Sequence, residues 1–213
     1  MSPRAALACP TVALGVLSAA AQVVLIRELL VAFTGNELTI ALTLAAWVLA
    51  VAAGSLLFSR LSPGRRPSAA TLLIITALVV PFQVVSIRLL HAAVSGVGEM
   101  LSPSLMALLT AAGAFPPAVL LGAAFVAILA GAAGADSARP LPLVYGLEAL
   151  GAGAAGLALG GYFLEAWNPL AVAALAGLVG LAGALTVGPA EPRRLRSIRT
   201  AVIAPAAVVL LVT

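Results

Sequence analysis

The feature that most constrains this chain is a series of long apolar runs from which charge is nearly absent. The runs lie at 11–33, 38–58, 69–93, 104–134, 143–164 and 169–187, with a shorter seventh at 201–213. A helix of about 20 apolar residues crosses a hydrocarbon core of roughly 30 Å. In lipid every backbone N–H and C=O must be satisfied internally, which leaves helices or closed barrels. Barrel strands would show about ten residues of apolar–polar alternation. These runs are continuously Ala-, Leu-, Val- and Gly-rich instead. The fold class expected is all-α: a polytopic transmembrane bundle of six to seven spans forming one domain over 1–213. Hydrophobic residues make up 63% of the chain, too many for a water-soluble surface of this size.

The charges give an orientation. The chain has eleven arginines and no lysine. Outside the spans they are Arg4, Arg60, Arg65, Arg66, Arg139, Arg193, Arg194, Arg196 and Arg199. All nine share one side if the spans alternate, whereas the opposite loops carry Glu37, Glu99 and Glu165. Cytoplasmic loops are enriched in Lys and Arg, so the N-terminus is expected in the cytoplasm. A net charge of +4 then points to anionic lipid headgroups on the cytoplasmic side. Basic stretches flanked by aromatics are lacking, so no nucleic-acid partner is expected. Arginine without lysine, together with heavy Ala and Gly use, suggests a GC-rich bacterium and its inner membrane. Cys9 is the one cysteine, so no intrachain disulfide forms. A cleaved leader ending near Ala19–Ala21 is disfavoured because the apolar run continues to Phe33.

Breakers and caps mark the connections. Asn36 is placed to cap the second span, and Trp167-Asn168-Pro169 makes a tight turn with Trp167 at the interface. The fourth run holds Phe115-Pro116-Pro117 at its middle. Proline removes a donor, so a kink or break is expected there, with freed carbonyls buried against protein or facing a wet cavity. The last run, thirteen residues or about 20 Å of helix, falls short of a crossing. The expectation is a chain cut inside a helix, or the front of a longer protein.

Gly151-Ala-Gly153-Ala-Ala-Gly156 spells the dinucleotide fingerprint, but that motif needs a preceding strand and a later acid. Here it falls inside an apolar run. The better expectation is helix packing through Gly153, Gly156 and Gly160, a GxxxG face that would make the fifth span central.

Ionisable groups inside spans are costly and usually face the bundle interior. Arg27 and Glu28 on span one, Asn36 and Glu37 at the start of span two, and Arg88 and His91 on span three form an expected polar cluster near one membrane face. Glu148 stands by itself on span five, and Gln22 and Gln83 lie deeper. These residues either snorkel and fix helix register or form a ligand or proton site. No metal site and no catalytic residue is expected: one histidine and one cysteine supply too few ligands, and no second carboxylate accompanies His91 by spacing.

Two stretches carry a family resemblance. One is Ala21-Gln22-Val23-Val24-Leu25-Ile26-Arg27-Glu28-Leu29-Leu30, followed by Thr34-Gly35-Asn36-Glu37 and Gly54-Ser55-Leu56-Leu57. The other is Tyr145-Gly146-Leu147-Glu148-Ala149-Leu150-Gly151 with Gly160-Gly161. Phe115-Pro116 and Leu121-Gly122-Ala123 fit between them. Together they resemble the membrane-embedded region of spermidine synthase-like proteins. The resemblance implies a cytoplasmic aminopropyltransferase-like domain, of methyltransferase-type fold, C-terminal to this region. Decarboxylated S-adenosylmethionine would bind to that domain alone. The chain departs from the family in having no Gly-Gly-Gly-Asp-Gly-type loop and no soluble α/β segment. The implied role is an anchor that also binds or passes an amine, such as a polyamine, or a lipid-like substrate. A stand-alone transporter or channel is the alternative reading, and a scaffold subunit of a homo-oligomer or larger membrane complex is a third.

Overall fold

The computed structural model describes residues 3–94, 102–133, 140–163 and 166–187. The seventh run at 201–213, with Glu99, Arg139, Glu165, Arg193, Arg194, Arg196 and Arg199, lies outside the described residues. Those described are helical with no strand. They comprise α1 (Pro3–Ala32), α2 (Glu37–Arg60), a 3₁₀ turn (Pro63–Arg65), α3 (Ala69–Val94), α4 (Pro103–Ala133), α5 (Pro140–Ala158) and α6 (Pro169–Thr186). α5 continues into a π-helical turn, Leu159–Phe163. Each of the six helices is long and apolar enough to cross a membrane. The protein is a polytopic transmembrane helical bundle.

The ends of the helices are set by local chemistry. α1 stops in a Schellman closure: the Gly35 N–H donates to Leu30 C=O at 2.8 Å and the Thr34 N–H to Val31 C=O at 3.3 Å. Thr34 and Gly35 both take positive φ, 58° and 78°. Asn36 Oδ1 then accepts from the Leu38 N–H at 2.9 Å and opens α2, as expected. At the other end of α2, Arg66 folds back. Its Nε donates to Leu61 C=O and its Nη2 to Ser59 C=O, and its guanidinium lies 5.7 Å from the Phe58 ring centroid. A cation thus satisfies carbonyls that the helix terminus leaves open. Asn168 Oδ1 caps α6 through the Ala171 N–H at 2.8 Å, with Pro169 at the first helical position.

The centre of the bundle is α1, not α5. α1 packs on α3, α4, α5 and α6, and α2 is held chiefly by α4. Only 17% of the α5 span is buried, against 56% of α1. The expected face on α5 is corrected accordingly. A Cβ built on Gly153, Gly156 or Gly160 would meet nothing within 4 Å. The close approaches occur elsewhere. Gly151 lies against the Val12 backbone and Gly15 against the Glu148 backbone, which brings α5 onto α1. Gly54 lies against Val119 and Gly122 against Val51, which brings α2 onto α4. In each case an added methyl would overlap a backbone carbonyl. Ser55 Oγ adds a 3.2 Å hydrogen bond to Gly122 C=O across the second contact.

The run holding Pro116 and Pro117 forms one continuous helix. Pro116 has no N–H to offer Ala112 C=O, four residues earlier. Gln83 of α3 replaces it, its Nε2 donating to that carbonyl at 3.1 Å. A glutamine in an apolar span is thereby explained by a proline on its neighbour.

Candidate functional site

Glu28 and Arg88 meet across α1 and α3. Arg88 Nε donates to Glu28 Oε2 at 2.8 Å and Nη2 to Oε1 at 2.7 Å. Both carboxylate oxygens are engaged by one planar fork, the strongest geometry for such a pair. Glu28 is 7% exposed, whereas the Arg88 side chain is 46% exposed. The pair is anchored in protein at its acidic end and open at its basic end. It holds α1 to α3 and leaves Glu28 little capacity for a ligand.

The other members of the expected cluster do different jobs. Asn36 is used as the cap of α2. Glu37 is exposed in the first turn of α2, where a negative charge suits the helix dipole. Arg27 and His91 are half-buried and each engaged in contacts of its own. His91 also borders a cavity of about 20 Å³ with Leu29, Phe33, Ile87 and Leu109. That space is of the size that holds one water, too small for a substrate.

Glu148 differs from all of these. It is the ninth residue of α5, about 12 Å along the helix from Pro140. Its backbone sits on Gly15 of α1, and its side chain is half-buried. Among the described residues no hydrogen bond or ion pair reaches its carboxylate. Thr11, one turn from Gly15 on α1, is turned away to its own helix, donating to Leu7 C=O at 2.6 Å. The sequence placed Glu148 on its span. What it could not supply was the glycine opposite, since a lone Gly15 in an Ala-rich helix carries no motif.

A second feature had no signal in the sequence. α5 and α6 both pack on α1 and scarcely touch each other. Between them runs an apolar groove of about 300 Å³, floored by Val16 and Ala20 and walled by Ala158, Leu159, Leu175 and Val179.

No three of His, Cys, Asp and Glu come together as a metal site among the described residues. The Gly151–Gly156 stretch lies in the interior of α5, and no strand precedes it among the described residues, so its glycines form no phosphate-binding turn. No family model, curated protein or solved structure matches the chain.

Proposed function

We propose that this chain is the membrane domain of a spermidine synthase-like protein in a bacterial inner membrane. Its N-terminus is cytoplasmic, it anchors an aminopropyltransferase-like domain, and it offers an anionic site to an amine. One observation carries the amine reading. Of the two carboxylates set well inside spans, Glu28 is neutralised by Arg88, whereas Glu148 has no cationic partner among the described residues. An intramembrane acid of that kind is a functional site by default. In the proposed orientation Glu148 is approached from the cytoplasm, where the transferase would act. Decarboxylated S-adenosylmethionine belongs to that transferase and not to the helices.

The test is saturable binding of radiolabelled spermidine to the full chain in nanodiscs. Glu148→Gln removes the charge and keeps the shape. It is expected to weaken binding at least about tenfold, the equivalent of roughly 1.4 kcal/mol. Glu37→Gln, at an exposed position, is expected to bind as the wild type does. Equal binding by Glu148→Gln and wild type refutes the amine site. Uptake of the label into proteoliposomes would favour the transporter reading over the anchor.

A further inference from the structure

The turn that joins α2 to α3 carries three guanidinium groups and no acid. Arg60 closes α2, Arg65 closes the 3₁₀ turn and Arg66 follows it. All three are exposed. No acidic residue occurs in the sequence between Glu37 and Glu99, so the turn holds no carboxylate of its own. Among the described residues no hydrogen bond or ion pair engages the side chain of Arg60 or Arg65. Like charges this close repel one another, and an anion between them relieves the repulsion.

Arg66 is already fixed in place. Its Nε donates to Leu61 C=O at 2.9 Å and its Nη2 to Ser59 C=O at 3.1 Å. Those two carbonyls bracket Arg60, so the Arg66 guanidinium lies against the backbone of the residue that carries the neighbouring charge. The Arg65 N–H donates to Ser62 C=O at 2.9 Å, which ties down the rest of the turn. A guanidinium has five N–H donors. The carbonyls take two from Arg66, and the other three have no partner among the described residues.

The surface beside these cations is apolar. α2 is held chiefly by α4, and only 22% of its span is buried. Leu57 and Leu61, one turn apart at its end, are 58% and 39% exposed. A soluble anion would use the arginines and leave the leucines bare. An anion that carries acyl chains covers both.

We propose that the α2–α3 turn binds one anionic glycerophospholipid. Its phosphate lies between Arg60, Arg65 and the three open donors of Arg66, and its acyl chains lie against Leu57 and Leu61. Arginine suits a phosphate because its planar donors engage two oxygens at once. Arg66 loses little freedom on binding, since its side chain is ordered beforehand. The net charge of the chain accounts for a diffuse attraction to acidic lipid, whereas the clamped guanidinium defines a place for one molecule. The site does not rest on the amine reading, on Glu148 or on which membrane face the turn occupies.

The test is native mass spectrometry of the full chain in a neutral detergent. The protein is titrated with equimolar phosphatidylglycerol and phosphatidylcholine of one chain length. Phosphatidylglycerol is expected to bind at least about 25-fold more tightly, the worth of two basic residues near an anionic headgroup. Arg60→Gln with Arg65→Gln removes two side chains that hold no part of the bundle. That pair should reduce the preference to about fivefold or less, which Arg66 alone supplies. Arg193→Gln with Arg194→Gln removes the same charge from another connector and should keep the full preference. Equal binding of the two lipids by the wild type overturns the proposal, even if a variant fails to fold. So does an equal loss in the two double variants, since net charge alone would then attract the lipid. Displacement of the bound lipid by an equal concentration of glycerol phosphate also overturns it, since the ligand would then be a free anion.

Discussion

The Glu28–Arg88 pair gives the sharpest energetic prediction because its two ends differ in exposure. Arg88→Leu strands a carboxylate that is only 7% exposed. Breaking a buried pair this way costs about 3–5 kcal/mol, whereas an exposed pair is worth about 0–1. With the Arg88 side chain 46% exposed, headgroups and water reach part of the site. The loss should fall to about 2–3 kcal/mol, between those limits. Glu28→Leu strands the guanidinium instead, which can turn outward along its aliphatic stem, so about 1 kcal/mol is expected. The double replacement leaves no charge behind and should lie within about 1 kcal/mol of wild type. The coupling energy is then about 2–3 kcal/mol. Reversible unfolding in dodecyl sulfate mixed micelles, followed by far-UV circular dichroism, measures all four proteins. If Arg88→Leu is no worse than Glu28→Leu, or if the two losses add in the double variant, the assignment of the pair as a one-sided clamp is wrong.

Two further outcomes follow from the helix contacts, read by the same unfolding assay. Gln83→Leu orphans the Ala112 carbonyl and should cost about 1–3 kcal/mol. In a Pro116→Ala background the helix supplies its own N–H, so the same change should cost less than about half as much; an equal cost in both backgrounds refutes the link. Gly54→Leu drives a side chain into the Val119 backbone and should destabilise by about 3 kcal/mol or more. Gly156→Leu, with open space around its Cβ, should stay within about 1 kcal/mol of wild type. A reversed order would restore the GxxxG face as a packing surface within this chain.

The spans were legible because lipid imposes one simple demand, that apolar residues run uninterrupted for a membrane thickness. The caps at Asn36 and Asn168 lie where turn chemistry requires them, although only the first was read from the sequence. Partnership was less legible. Glu28 and Arg88 could be placed at similar depth, but sixty residues separate them, and depth does not say which faces oppose each other. Gln83 and Pro116 were each recognised as polar or helix-breaking, yet that one answers the other needed the α3–α4 register. The glycines misled for a definite reason. A GxxxG spacing says that a face is flat, not that a helix lies on it. The approaches that occur are made by Gly15 with Gly151 and by Gly54 with Gly122, pairs divided between two helices that no single-segment motif can show.

The position of α1 at the centre has a consequence for biogenesis. Of the six described helices, the one made earliest is the one the others must surround. Glu28 is synthesised sixty residues ahead of Arg88, which at about 5–20 residues per second is a wait of roughly 3–12 seconds. During that interval the acid lacks the guanidinium that engages it in the folded bundle, so the insertion machinery must shelter that part of α1 until α3 emerges.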